Sequence, residues 1–248
     1  MEREAYQPPS RMLFFLEGGR AIARLGSYMT RLPELRKLQK GDGHPVMVLP
    51  GFMAGDVTTV PLRSFLRKQG YEALPWGLGI NTAREDFEDI IPQIVSDHFN
   101  KYGRKLSLIG WSLGGVYARE AARIHPEYIR QVITLGSPFN GINRVSSVSW
   151  VYERLRGKRI ADLDPELVDR LKEPIEVPVT NIFSKTDGVV SWQCCVEQTE
   201  GPIRENIEVK GSHIGLGHNP EVLRIIADRL SQPKNKWSPF DPHSLKQF

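Results

Sequence analysis

Lys105-Leu106-Ser107-Leu108-Ile109-Gly110-Trp111-Ser112-Leu113-Gly114-Gly115-Val116-Tyr117 is the stretch on which the fold turns. Its first half is a short apolar run of strand length, and beyond it Val116, Tyr117, Ala121 and Ile124 recur at helical spacing. Between the two lies Ser112 in the pattern Gly-x-Ser-x-Gly. A serine in a sharp strand-to-helix turn has its hydroxyl lifted above the sheet edge, in a backbone that suits small neighbours. The same turn puts the Leu113 N–H at a helix start, where it can donate to a developing oxyanion. The pattern by itself is weak, because Gly-rich loops produce it by chance. The strand before it and the helix after it make it read as a nucleophile elbow.

Working outward, strands and helices alternate from residue 45 to about 230. Val46 to Leu49 reads as a buried strand, Val60 to Gln69 as a helix, Tyr71 to Trp76 as a strand and Thr82 to Tyr102 as a long helix. After the elbow, Val132 to Leu135, Val179 to Phe183 and Asn206 to Val209 read as strands. Asn219-Pro220 caps a last helix that runs to about Leu230. This rhythm implies an α/β fold with a mostly parallel sheet, helices on both faces and ligands at the carboxyl ends of the strands. The whole chain, 1–248, reads as a single domain.

Three segments lie outside the rhythm. Residues 139–177 interrupt it with a polar loop around Ser146 to Ser149 and helical patterns around Val151 to Arg156 and Pro165 to Lys172, a lid-like insertion over the strand ends. Residues 11–40 form an amphipathic helical segment whose stripe is Ile22, Leu25, Met29 and Leu32 with arginines opposite, interrupted at Pro33. It suits docking on the main domain or, as the sharper reading, a peripheral membrane or dimer contact. Residues 231–248, rich in Pro, Lys and Ser, read as an extended tail.

Composition sets the class. Of 248 residues 40% are hydrophobic and 25% charged, the balance of an ordinary soluble domain. No apolar run approaches the roughly 18 residues that cross a bilayer, and Met1-Glu2-Arg3-Glu4 does not open a signal peptide. Net charge is +4 with the basic residues dispersed, too thin for a nucleic-acid footprint. The only cysteines, Cys194 and Cys195, are adjacent and make neither a disulfide framework nor a metal motif. A cytoplasmic location is the resulting expectation, and no metal-ligand cluster stands out.

A serine hydroxyl is a poor nucleophile until a base takes its proton, and the base needs an acid to orient it. In this topology both follow the serine, each in a loop after a strand. Asp187 follows Val179 to Phe183, and His213 follows Asn206 to Val209. His218 is the rival base, five residues on near the last helix. His44 lies at the amino end of its strand, the wrong edge. A second oxyanion donor falls in Leu49-Pro50-Gly51-Phe52-Met53, with the Phe52 N–H as candidate and Met53 as the alternative register. The side chains of Met53 and Trp111, with Phe52, are candidate apolar walls for substrate.

Five motifs carry a resemblance: Leu49-Pro50-Gly51-Phe52, Gly110-Trp111-Ser112-Leu113-Gly114-Gly115, Leu135-Gly136-Ser137-Pro138, Asp187-Gly188-Val189-Val190 and Gly211-Ser212-His213. With them the chain resembles the α/β-hydrolase superfamily, and within it the small bacterial lipase- and esterase-like serine hydrolases. Pro50-Gly51 stands where many lipases have His-Gly, and the amino-terminal strands of a full sheet are missing, which leaves about six. The resemblance implies that Ser112 is nucleophile, His213 base and then acid, Asp187 the orienting carboxylate, and the Phe52 and Leu113 N–H groups the oxyanion hole. It implies cleavage of small-molecule or lipid-like carboxylic esters with apolar acyl groups through an acyl-enzyme, with neither metal nor organic cofactor. Acyl transfer and thioester hydrolysis use the same triad. A catalytically silent binding protein would have no need of all three side chains.

Overall fold

The computed structural model describes residues 6–143, 147, 149, 153–154, 157, 159–233 and 236–242. Its described strands form one six-stranded sheet, every pair parallel, in the order β2-β1-β3-β4-β5-β6. These are β1 Pro45–Leu49, β2 Glu72–Pro75, β3 Leu106–Trp111, β4 Ile129–Leu135, β5 Val179–Phe183 and β6 Arg204–Glu208. The helices are α1 Arg11–Leu35, α2 Val60–Lys68, α3 Phe87–Tyr102, α4 Leu113–Ile124, α5 Pro165–Lys172 and α6 Pro220–Ser231.

Side chains alternate across each strand, so the sheet feeds two cores. Val46, Val48, Ile109, Ile133 and Ile182 pack with α1, α2 and α6, while Met47, Leu49, Leu106, Leu108 and Val132 pack with α3 and α4. All five residues of β1 are buried, as expected of a parallel strand covered on both faces. The strand order reverses between β1 and β3, and ligands of open α/β sheets bind at such a point. The register pairs Leu49 with Gly110, so the loop after β1 emerges beside the turn after β3.

Most expected elements are present with ends shifted by one to three residues. The long helix expected from Thr82 begins instead at Phe87. The intervening residues belong to a loop held by Asn81, whose Nδ2 donates to the Pro50 carbonyl (2.9 Å) and whose Oδ1 accepts from the Ala83 N–H (3.1 Å). Ala83 has φ +56°, incompatible with a continuing helix. Asn219 caps α6 as expected, its side chain accepting from the Glu221 N–H.

The first helix covers only one residue of its expected stripe, Leu32, which packs against the core. Ile22, Leu25 and Met29 face solvent, and Glu17, Ala21, Tyr28 and Leu35 are the buried side. The helix also runs through Pro33 rather than breaking there. Helical periodicity locates a stripe without saying which stripe is covered, and here the decisive contacts are polar. Part of the 139–177 insertion is seen as α5, whereas Val151, Tyr152, Leu155 and Arg156 of the expected first helical pattern, Ser146 of the polar loop, and the tail beyond 242 lie outside the described residues.

Candidate active site

The elbow is built by backbone contact too close for any side chain. A Cβ on Gly110 would sit 2.2 Å from the Gly115 Cα, and one on Gly114 would sit 2.3 Å from the Leu49 carbonyl oxygen. The turn pressed between β1 and β3 holds Ser112 at φ +53°, ψ −124°, a conformation a non-glycine residue keeps only when its surroundings impose it. The Ser112 N–H donates to the Leu135 carbonyl at 2.8 Å, tying the turn to β4.

The loops after β5 and β6 bring Asp187 and His213 together. Asp187 Oδ2 lies 2.6 Å from His213 Nδ1, with both side chains almost fully buried. Its other oxygen accepts from the N–H groups of Val189 and Val190, both at 2.8 Å, which fixes the carboxylate plane. With Nδ1–H donating to Asp187, Nε2 is the nitrogen left to take a proton. Gly136 makes room for this pair: at φ +56°, its absent Cβ would lie 3.1 Å from His213 Nδ1 and 3.2 Å from Asp187 Oδ2. Burial favours the neutral imidazole, but the Asp187 charge and hydrogen bond, joined by the Glu17 charge, outweigh it and raise the His213 pKa above its usual value.

The elbow and the histidine loop are joined directly. Trp111 Nε1 donates to the His213 carbonyl at 3.1 Å, and the indole ring fills the space that Gly217 leaves open. Among the described residues the Ser112 hydroxyl has no hydrogen-bond partner. Such bonds are often long before substrate arrives.

A cavity of about 410 Å³ opens at Ser112, with Phe52, Leu113, Val116 and Tyr117 on its core side. Ile142, Leu163, Leu167 and Leu171 of the insertion roof it, and charged residues such as Arg84, Glu88 and Asp162 mark its rim. Phe52 is thus brought to the same cavity as Ser112. Met53 and Trp111 do not line the cavity: Met53 is half exposed, and Trp111 is buried in the sheet core beneath the histidine loop. The Met53 N–H is also engaged, donating to the Asn81 carbonyl at 2.7 Å. That engagement counts against the alternative oxyanion register; Leu113 lies at the first turn of α4, where its N–H has no acceptor within its own helix.

The rival groups are committed elsewhere. His218 Nε2 donates to the Ala21 carbonyl at 3.0 Å, facing α1. His44 also has a carboxylate on Nδ1, Asp42 at 2.5 Å, and its Nε2 is already engaged with the Ser107 hydroxyl at 2.8 Å. His44 and Ser107 are buried at the amino ends of β1 and β3 while Asp42 is exposed and also held by Arg130, so this trio ties the strand starts together at the edge opposite the Ser112 cavity. Neither Cys194 nor Cys195 is in a disulfide, and both are buried in a small core with Phe183, Val189 and Val190. Among the described residues no group of three or more His, Cys, Asp or Glu could hold a metal ion.

The residue that motif reading missed is Glu17. Its buried carboxylate reaches from α1 into both loops: Oε1 accepts from the N–H groups of Gly188 (2.9 Å) and His213 (3.0 Å), and Oε2 accepts from Ile214 (3.0 Å). Arg20 donates to the carbonyl and hydroxyl of Thr186, and Arg24 to the Lys210 carbonyl. Gly188 lets the helix come this close, because a Cβ there would lie 2.5 Å from the Leu13 carbonyl carbon. The available signal was an isolated acid in an otherwise acid-free helix from 11 to 33.

No family model matches the chain. The chain is 28% identical over 102 residues to a pimeloyl-[acyl-carrier protein] methyl ester esterase of Aliivibrio fischeri, a match that covers 40% of this chain and 38% of that protein. The matched region thus spans well under half the length of that relative. Among solved structures it is similar to lipase B of Aspergillus fumigatus (17% identity, TM-score 0.60, 84% of this chain and 56% of that one). It is also similar to the mature lipase BlEst2 of Bacillus licheniformis (15% identity, TM-score 0.59, 79% and 95%). With the parallel sheet, its strand order and the turn after β3, these likenesses establish that the chain has the α/β-hydrolase fold.

Proposed function

We propose that this protein is a serine hydrolase that cleaves carboxylic esters of apolar acyl groups, with Ser112 as nucleophile, His213 as general base and acid, and Asp187 as the orienting carboxylate. The observation that carries the reading is the strained Ser112 at the mouth of an apolar cavity, with a buried Asp187–His213 pair in the adjoining loops. The relative from Aliivibrio fischeri, itself an ester hydrolase by name, points to the same chemistry.

In the first step Ser112 Oγ attacks the ester carbonyl carbon while its proton passes to His213 Nε2. The imidazolium that forms is stabilised by Asp187, and the oxyanion accepts from the N–H groups of Phe52 and Leu113. Collapse breaks the C–O bond to the alcohol, which leaves with the proton from His213. Water then attacks the acyl-enzyme, His213 takes its proton, and the acid departs from Ser112. The apolar roof over the cavity suits an acyl chain better than a charged group.

Hydrolysis of p-nitrophenyl butyrate by wild type, Ser112→Ala and His213→Ala tests this. Both variants should lose several orders of magnitude in kcat with the fold intact. An active Ser112→Ala variant would exclude the assignment. Adding an alcohol or amine acceptor and analysing products separates hydrolysis from acyl transfer.

A further inference from the structure

Helix α1 is inverted relative to an ordinary surface helix. Between residues 12 and 30 its charged side chains, Glu17, Arg20 and Arg24, turn inward onto the loops of Asp187 and His213. Every exposed residue over the same span is uncharged, from Met12, Phe15 and Leu16 through Ile22 and Leu25 to Met29 and Thr30. Phe15 is 82% exposed and Ile22 73%. A surface helix normally does the opposite, and contiguous exposed apolar surface marks a binding face.

The charges around this face say what covers it. Where the uncharged span ends, exposed Arg31, Arg36, Lys37 and Lys40 outnumber one exposed acid, Glu34, which is paired with Arg224, and Arg11 is exposed where the span begins. Along the flank of the same helix a cavity of about 250 Å³ is lined by Arg24, Arg31 and Arg224 with Ser27, Asn219 and Glu221. A cationic border beside an uncharged helix face complements an anionic lipid surface, with the apolar side chains in the headgroup boundary. The dimensions disfavour a second copy of the chain. A helix of 25 residues is roughly 37 Å long, and a strip about 10 Å wide covers about half of the ~800 Å² per partner that a stable pair needs.

We infer that α1 is a docking surface for an anionic lipid bilayer, lying in the plane of the interface with its uncharged face inserted and its cationic border on the headgroups. No helix among the described residues is long and apolar enough to cross the membrane, so the contact is peripheral. Docking places lipid beside the site, because Tyr6, just ahead of the helix, lines the Ser112 cavity.

The test is co-flotation of the full chain with vesicles of phosphatidylcholine alone or with about a third phosphatidylglycerol, read beside size-exclusion chromatography without lipid. Wild type should float with the anionic vesicles, bind the neutral ones roughly tenfold or more less well, and lose binding as salt rises. Ile22→Glu/Met29→Glu and Arg31→Glu/Lys37→Glu should each reduce anionic binding about tenfold or more while circular dichroism stays unchanged. Equal flotation of wild type and the Ile22→Glu/Met29→Glu variant would overturn the proposal. So would a wild-type dimer that this variant returns to monomer. Flotation is read without any ester, so the outcome stands apart from the hydrolase reading.

Discussion

Replacing Glu17 by Gln tests whether α1 holds the Asp187 and His213 loops in register. The wild-type carboxylate satisfies three N–H donors, those of Gly188 and His213 buried and that of Ile214 half-buried. Gln keeps one acceptor oxygen, which can still serve Gly188 and His213, but sets its NH2 against the Ile214 N–H. One hydrogen bond to a charged group is lost, at about 1.5–3 kcal/mol, and a domain of this size then melts roughly 5–10 °C lower. The loops should also shift by a fraction of an ångström, which lowers kcat on p-nitrophenyl butyrate about tenfold or more with little change in KM. A third readout separates positioning from bulk stability. Activity needs neutral His213, and its raised pKa places the acid limb of kcat/KM above the ordinary 6.5. The charges facing the ring are Asp187 and Glu17, with Arg20 3.6 Å from Glu17. Removing the Glu17 charge leaves the protonated form less favoured, so the acid limb moves to lower pH. A variant with wild-type kcat and an unmoved acid limb would refute the positioning role, whatever its melting temperature.

Other perturbations follow from the same geometry. Asn81→Ala removes the side chain that holds the Pro50 carbonyl and the Ala83 N–H, so kcat should fall about tenfold with the melting temperature a few degrees lower; unchanged kcat would show the oxyanion loop to be self-supporting. Glu197→Ala removes the counter-charge of the fully buried Arg119 guanidinium, which sits 2.9 Å from Glu197 and over the Phe139 ring and keeps only the Glu173 carbonyl, and should cost ~3–5 kcal/mol in urea unfolding. A loss under about 1 kcal/mol would show that other groups or water satisfy Arg119. Leu167→Trp fills the cavity roof and should lower kcat/KM for octanoyl relative to acetyl esters by about tenfold. An unaltered chain-length profile would place the acyl group elsewhere.

The residues that depend on local backbone chemistry were legible in the sequence. Gly110, Ser112 and Gly114 announce the elbow because only small residues fit a turn pressed between β1 and β3, and Asp187 and His213 were reached from their place after strands. What was not legible depends on tertiary partners. Trp111 reads as a pocket wall from its position beside Ser112, yet strand alternation turns it into the core, where its N–H finds the His213 carbonyl. The direction of α1 was missed for a related reason. Periodicity ranks residues by apolarity, and up to Arg24 this helix docks through Glu17, Arg20 and Arg24, with Tyr28, Leu32 and Leu35 packing on the core only further along. The start of α3 was misplaced because Asn81, by bonding Pro50, holds the next residues in a loop that their helix propensity would not reveal.

The central claim is that Ser112 is an activated nucleophile, and mass spectrometry after reaction with a fluorophosphonate tests it most directly. The account predicts one phosphonyl group per chain, located by peptide mapping on Ser112, absent from Ser112→Ala and much slower to form in His213→Ala. An unmodified chain, or modification at another residue that persists in Ser112→Ala, would contradict it.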